Sequence, residues 1–105
     1  MAKYLLAYHG GGMPDTEAAQ AAVMAAWGAW MGELGQALVD PGNPVGATTT
    51  IAADRSTTAG GGANPITGYS IVEADSMASA LDLAKNCPIL NDGGTVELCE
   101  TFDAM

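Results

Sequence analysis

His9 is the only histidine in the chain, and Gly10, Gly11 and Gly12 follow it at once. An imidazole can take up or give up a proton near neutral pH, which suits general acid or base work. The glycines beside it leave room for a bound molecule. The plainer alternative is a strand-end histidine bonded to backbone or water. Asp40 is the carboxylate expected to orient or charge-balance such a base. It stands where a long helical pattern ends, against the helix dipole, at a cost of about 0.3–1 kcal/mol. Either a site or the local hydrogen bonding of a turn through Pro41 and Asn43 would offset that cost.

Four more side chains could shape a binding site. Trp27 and Trp30 fall on an apolar helical stripe, where large aromatics serve as core or as a pocket wall. Tyr69 offers a phenol to orient a ligand, or packs as a strand residue under a helix. Arg55 is one of only three basic side chains among twelve acids. It could clamp a carboxylate or sit in a surface ion pair. Cys87 and Cys99 are far apart and have no second Cys or His near them, so they make no metal pattern. Both read as small buried hydrophobes. The acids are scattered without calcium-loop spacing, and no metal or cofactor is expected. Gly60-Gly61-Gly62 lacks the lysine and the strand-to-helix context of a phosphate loop.

These residues must be held by a small scaffold. The chain has 105 residues, 49% hydrophobic and only 14% charged, with a net charge of −9. Such a composition folds as a single domain over residues 1–105. The acidic balance excludes wrapping a nucleic-acid backbone, which needs clustered cations, and it excludes a polybasic membrane-surface role. No apolar run reaches the roughly 20 residues of a membrane span. No export signal is read at the N-terminus, and two cysteines without one point to reduced thiols in the cytoplasm.

Lys3 to His9 reads as a first strand, with Tyr4, Leu6 and Tyr8 on one face and Leu5, Ala7 and His9 on the other. Asp15 or Thr16 caps a helix that runs to about Val39 on the stripe Val23, Trp27, Trp30, Leu34 and Leu38. A second stripe on this helix, Ala21, Ala25, Gly28 and Gly32, is very small. Each glycine costs about 1 kcal/mol against alanine there. The stripe is a tolerated solvent face or a close approach by another backbone or a ligand. Ala47 to Ala53 reads as strand two, and Asp54 to Pro65 as a loop or lid. Ile66 to Ala74 is strand three. A second helix runs from Asp75 or Ser76 to about Asn86, with Met77, Leu81 and Ala84 inward. Thr95 to Phe102 is strand four. The order β-α-β-β-α-β predicts an α+β, ferredoxin-like fold: a four-stranded antiparallel sheet with both helices on one face.

Several segments in order resemble the YciI-like (YCII-related) proteins, the group that includes the DGPF-motif proteins. They are Lys3-Tyr4-Leu5-Leu6-Ala7-Tyr8, Trp27-Gly28-Ala29-Trp30 with Leu34-Gly35, and Gly68 to Ser76. Ala80-Leu81, Cys87-Pro88-Ile89-Leu90 and Gly93 to Leu98 complete the set. The resemblance covers nearly the whole chain. It implies a homodimer in which two such sheets form a dimeric α/β barrel. It also brings a proposed active-site pair, a helix histidine and a following aspartate. Asp40 matches the aspartate, whereas Ala26 or Trp27 stands at the histidine position. The DGPF motif is absent, and Asp54-Arg55-Ser56 stands in its place.

Two functions from different classes are therefore expected. One is a small-molecule enzyme in which His9 moves a proton, Asp40 supports it, and Trp27, Trp30, Tyr69 and Arg55 hold a neutral or cationic substrate. The other is a non-catalytic metabolite-binding or regulatory module. A histidine and carboxylate meeting in a concave pocket would favour the first. A dry apolar pocket without His9 would favour the second.

Overall fold

Alternation and helical spacing build most of the sheet and both helices. The computed structural model describes residues 1–12 and 14–104. Its elements are β1 (Ala2–His9), α1 (Glu17–Leu34), β2 (Leu38–Asp40), β3 (Thr49–Ile51), β4 (Thr57–Ala59), β5 (Ile66–Ala74), α2 (Met77–Ala84) and β6 (Thr95–Glu100). Four strands form one antiparallel sheet in the order β2-β5-β1-β6, and β3 pairs only with β4. This is the expected ferredoxin-like α+β arrangement with a hairpin inserted between its second and third sheet strands.

The helix-covered face carries Tyr4, Leu6 and Tyr8 from β1 and Ser70, Val72 and Ala74 from β5. Trp30 and Leu34 of α1 and Ala80 and Ala84 of α2 close over them. The Trp30 indole N–H donates to the Leu83 carbonyl at 3.1 Å and ties the two helices together. Thr16 and Ser76 cap them, each side chain accepting from the backbone N–H three residues on. Among the described residues, no layer covers the opposite face of the sheet, with Leu5, Ala7, Tyr69, Ile71 and Cys99.

Four sequence expectations need correction. The first helix ends at Leu34 rather than near Val39, because Gly35 takes φ 54° and its N–H caps the Met31 carbonyl. Leu38, in helical register with Leu34, instead begins the short strand β2. Ala47 to Ala53 is not a sheet strand: its core, β3, pairs with β4, which lies inside the segment read as a loop. In α2 the inward residues are Ala80, Ala84 and Leu83, while Met77 and Leu81 are about 40% exposed. Cys87 is buried as expected, but Cys99 is exposed on the open face.

Candidate functional site

The segment after β2 is held tightly against β5. Asp40 Oδ1 accepts from the Gly42 N–H at 2.8 Å, closing a local turn. The Tyr69 N–H donates to the Asn43 carbonyl, and the Val45 N–H to the Thr67 carbonyl. Pro41 to Pro44 thus form a fixed lip at the sheet edge, facing α1. Between lip, sheet and helix lies a cleft of about 470 Å³. That volume falls within the range of roughly 300–1,000 Å³ typical of small-molecule sites.

The α1 wall of the cleft is Val23, Met24, Trp27, Gly28 and Met31, and Ile89 closes one end. Trp27 meets the Tyr8 ring edge-to-face at 5.2 Å and Trp30 at 5.7 Å. Those contacts fix its indole as a wall. A Cβ on Gly28 would meet nothing within 4 Å. No neighbouring backbone accounts for this glycine; its missing side chain leaves open space in the cleft. None of the residues lining the cleft carries a charge, and the lining is overwhelmingly apolar.

A short polar relay runs along the floor. The Tyr8 hydroxyl donates to Ser70 Oγ at 2.8 Å, and the Ser70 hydroxyl donates on to the Pro41 carbonyl at 2.7 Å. The carbonyl can only accept, so the direction of the chain is fixed. Burial pushes the Tyr8 phenol well above its ordinary value. The neighbouring Cys87 adds to the rise. Burial likewise raises the Cys87 thiol, opposed by hydrogen bonding from the Ile89 backbone. Both groups are therefore neutral and inert at physiological pH.

Weakened acidities of this kind set an alkaline limit on stability. The folded protein holds these protons more tightly than the unfolded chain. Their contribution is complete below the ordinary values, 9.0 for the thiol and 10.0 for the phenol, and is lost as pH rises beyond them. Urea unfolding should show stability falling above about pH 9 and more steeply above about pH 10. Tyr8→Phe should flatten the upper part of that fall. At neutral pH it should cost about 1 kcal/mol through the lost bond to Ser70.

His9 is not in the cleft. It extends to the other face of the sheet and is 8% exposed. Its Nδ1 lies 3.0 Å from the Asn64 carbonyl oxygen and 3.2 Å from that of Pro65, so this nitrogen carries a proton and donates. Its Nε2 lies 2.6 Å from Glu97 Oε1. The carboxylate stands off the direction a ring hydrogen would take, so the contact is not an aligned hydrogen bond, and it is an ion pair only when the imidazole carries both protons. This arrangement fastens the base of the hairpin to the sheet. His9→Gln should lower stability by about 1 kcal/mol in urea unfolding, with no change in ligand binding at the cleft.

The expected pairing of His9 with Asp40 is not formed. Asp40 stands opposite Ile71, which stands opposite Leu5, four residues from His9 along β1. Strand geometry puts the two backbones about 16 Å apart. The aspartate was read as a helix end, but it belongs to an edge strand and is spent on its own turn. Of the other site candidates, Trp27 lines the cleft, and Tyr69 borders it from a strand position that belongs to the open face of the sheet. Trp30 is core, and Arg55 lies at the exposed tip of the hairpin β3–β4. Sequence reasoning missed Ser70, Met24 and the Pro41–Pro44 lip. Gly28 was the one available signal, through the cost of glycine inside a helix.

Among the described residues no group of three or more His, Cys, Asp or Glu side chains is placed to hold a metal. No helix among them is long and apolar enough to cross a membrane. No protein-family model matches the chain, and no curated protein matches it.

Proposed function

We propose that the chain is a binding module for a small, uncharged, predominantly apolar molecule seated between α1 and the sheet. The observation that carries this reading is the cleft itself: apolar walls, no charged side chain, and Gly28 leaving its space open. A net charge of −9 repels anions. A cation would find no carboxylate in the cleft to pair with. Catalysis by His9 is the weaker reading, because His9 and Asp40 lie apart and neither lines the cleft. The ferredoxin-like order and the residues quoted above support placing the chain among the YciI-like proteins. Two free thiols support a reducing, cytoplasmic setting.

The test is a titration with N-phenyl-1-naphthylamine, a neutral aromatic probe whose emission rises in apolar surroundings. Saturable binding at one site per chain, with a change in tryptophan emission from Trp27, is the expected result. Emission that rises only linearly with probe would overturn the reading.

The open sheet face favours a second element of function. Leu5, Ala7 and Ile71 at its centre are only half-buried, and no layer among the described residues covers them. We propose that two copies pair through these faces as a homodimer.

A further inference from the structure

We propose that the hairpin β3–β4 is an arm that reaches across to a second copy of this chain and completes the pairing. This inference rests on the pairing through the open sheet face.

Beyond its base at Asn64 and Pro65, the arm is exposed on all sides among the described residues. Every residue from 49 to 66 is exposed, including Ile51 at 70%. An isolated two-stranded hairpin is marginally stable at best in water, and these strands are only three residues long. The projection also expands the molecule. Its radius of gyration is 15.2 Å, against about 13 Å for a compact chain of this length.

Its position fits a partner on the open face. The base of the arm, Asn64 and Pro65, lies against His9 on that face of the sheet. A second copy seated there is beside the arm from the start. The arm enlarges the area that a partner can cover. At 3.3 Å per residue and 4.8 Å per strand, the four sheet strands offer about 400 Å² in plan. A stable interface buries roughly 800 Å² per partner.

Its charge fits a partner of this composition. Between residues 46 and 63 the only charged side chains are Asp54 and Arg55, so the whole net charge of −9 lies elsewhere on the chain. Asp54 is turned inward: its Oδ1 accepts from the Ser56 N–H at 2.9 Å and the Ser56 hydroxyl at 2.6 Å. Those bonds hold its carboxyl below the usual range. Arg55 is left as a projecting cation with no ion-pair partner among the described residues. It is held at φ 76°, a conformation that favours glycine. A threonine-rich arm tipped by one cation suits the acidic body of a second copy and avoids the repulsion between two bodies.

Sedimentation equilibrium on the full chain tests this. The wild type should be a dimer. Ile51→Lys and Arg55→Glu should each weaken dimerisation about tenfold. Both side chains are exposed, so the circular dichroism of the monomer should not change. Trypsin gives a second reading on the unaltered chain. Cleavage after Arg55 should slow as the concentration rises through the dimer dissociation constant. A wild type that stays monomeric overturns the pairing and the arm together. A dimer whose dissociation constant moves less than twofold in both variants, with Arg55 cleaved equally fast at every concentration, overturns the arm alone.

Discussion

Gly28→Leu should strongly weaken binding of an uncharged apolar probe at the cleft while making the isolated protein no less stable. The two effects come from one structural fact. A Cβ at position 28 meets nothing within 4 Å, so a larger side chain enters without a clash. Replacing a helix-interior glycine gains about 1 kcal/mol of helix propensity. The added leucine then fills the space between Trp27, Met24 and the lip. Affinity should fall by about two orders of magnitude, the size of effect expected when a wall residue occupies the ligand's own volume. Gly32→Leu is the control. Gly32 is also in open space on α1 but does not line the cleft. It should show the same gain in thermal stability and unchanged binding. Equal loss in both variants would mean that helix composition, not the cleft, governs the probe.

The second large effect is on folding. Gly42→Ala should destabilise the protein by about 3 kcal/mol or more, lowering the melting temperature by roughly 10–20 °C. Gly42 has φ 70°, and a Cβ there would overlap the Tyr69 carbonyl, which is backbone of a central strand and has nowhere to move. The same substitution breaks the turn closed by Asp40 and shifts the Pro41 carbonyl that ends the Tyr8–Ser70 relay. Gly46→Ala, four residues on, meets nothing within 4 Å and needs no left-handed backbone. It should change stability by less than about 0.5 kcal/mol. Scanning calorimetry of the pair separates a steric requirement at the lip from a general intolerance of the segment. If Gly42→Ala melts with the wild type, the lip is not packed as described.

How much of this was legible beforehand depends on how many residues carried each signal. β5 alternates over nine residues, with Ser70, Val72 and Ala74 buried against half-buried Tyr69, Ile71 and Glu73. Its bounds were read correctly, because period two over that length has no competitor. β2 has three residues, too few to alternate, and Leu38 sits in helical register with Leu34. The helical reading prevailed there until Gly35 broke it. For Ala47 to Ala53 the error was one of partner, not of propensity. Thr49, Thr50 and Ile51 do form a strand, but β tendency does not say which strand will pair with it.

The site divides in the same way. Trp27 and Tyr69 were reachable as aromatics on recognised elements. Gly28 was reachable through its energetic cost. His9 drew attention because it is the lone histidine, yet the plain alternative, a strand-end histidine bonded to backbone, is the one the structure contains. Asp40 was given its role by its place at a helical pattern's end and by the YciI-like resemblance. Register across three strands separates the two, and no local pattern contains that distance. The Pro41–Pro44 lip is made by backbone hydrogen bonds to β5, which leave no side-chain signature at all.

The most direct test of the central claim is to locate the probe. Amide proton–nitrogen spectra of the uniformly labelled chain, recorded while N-phenyl-1-naphthylamine is added, report each backbone N–H separately. The expected result is saturable shifts confined to Val23 through Met31, Gly42, Asn43 and Thr67 through Ser70. Shifts centred on His9, Asn64 and Glu97, or none at saturating probe, would contradict a binding module built around this cleft.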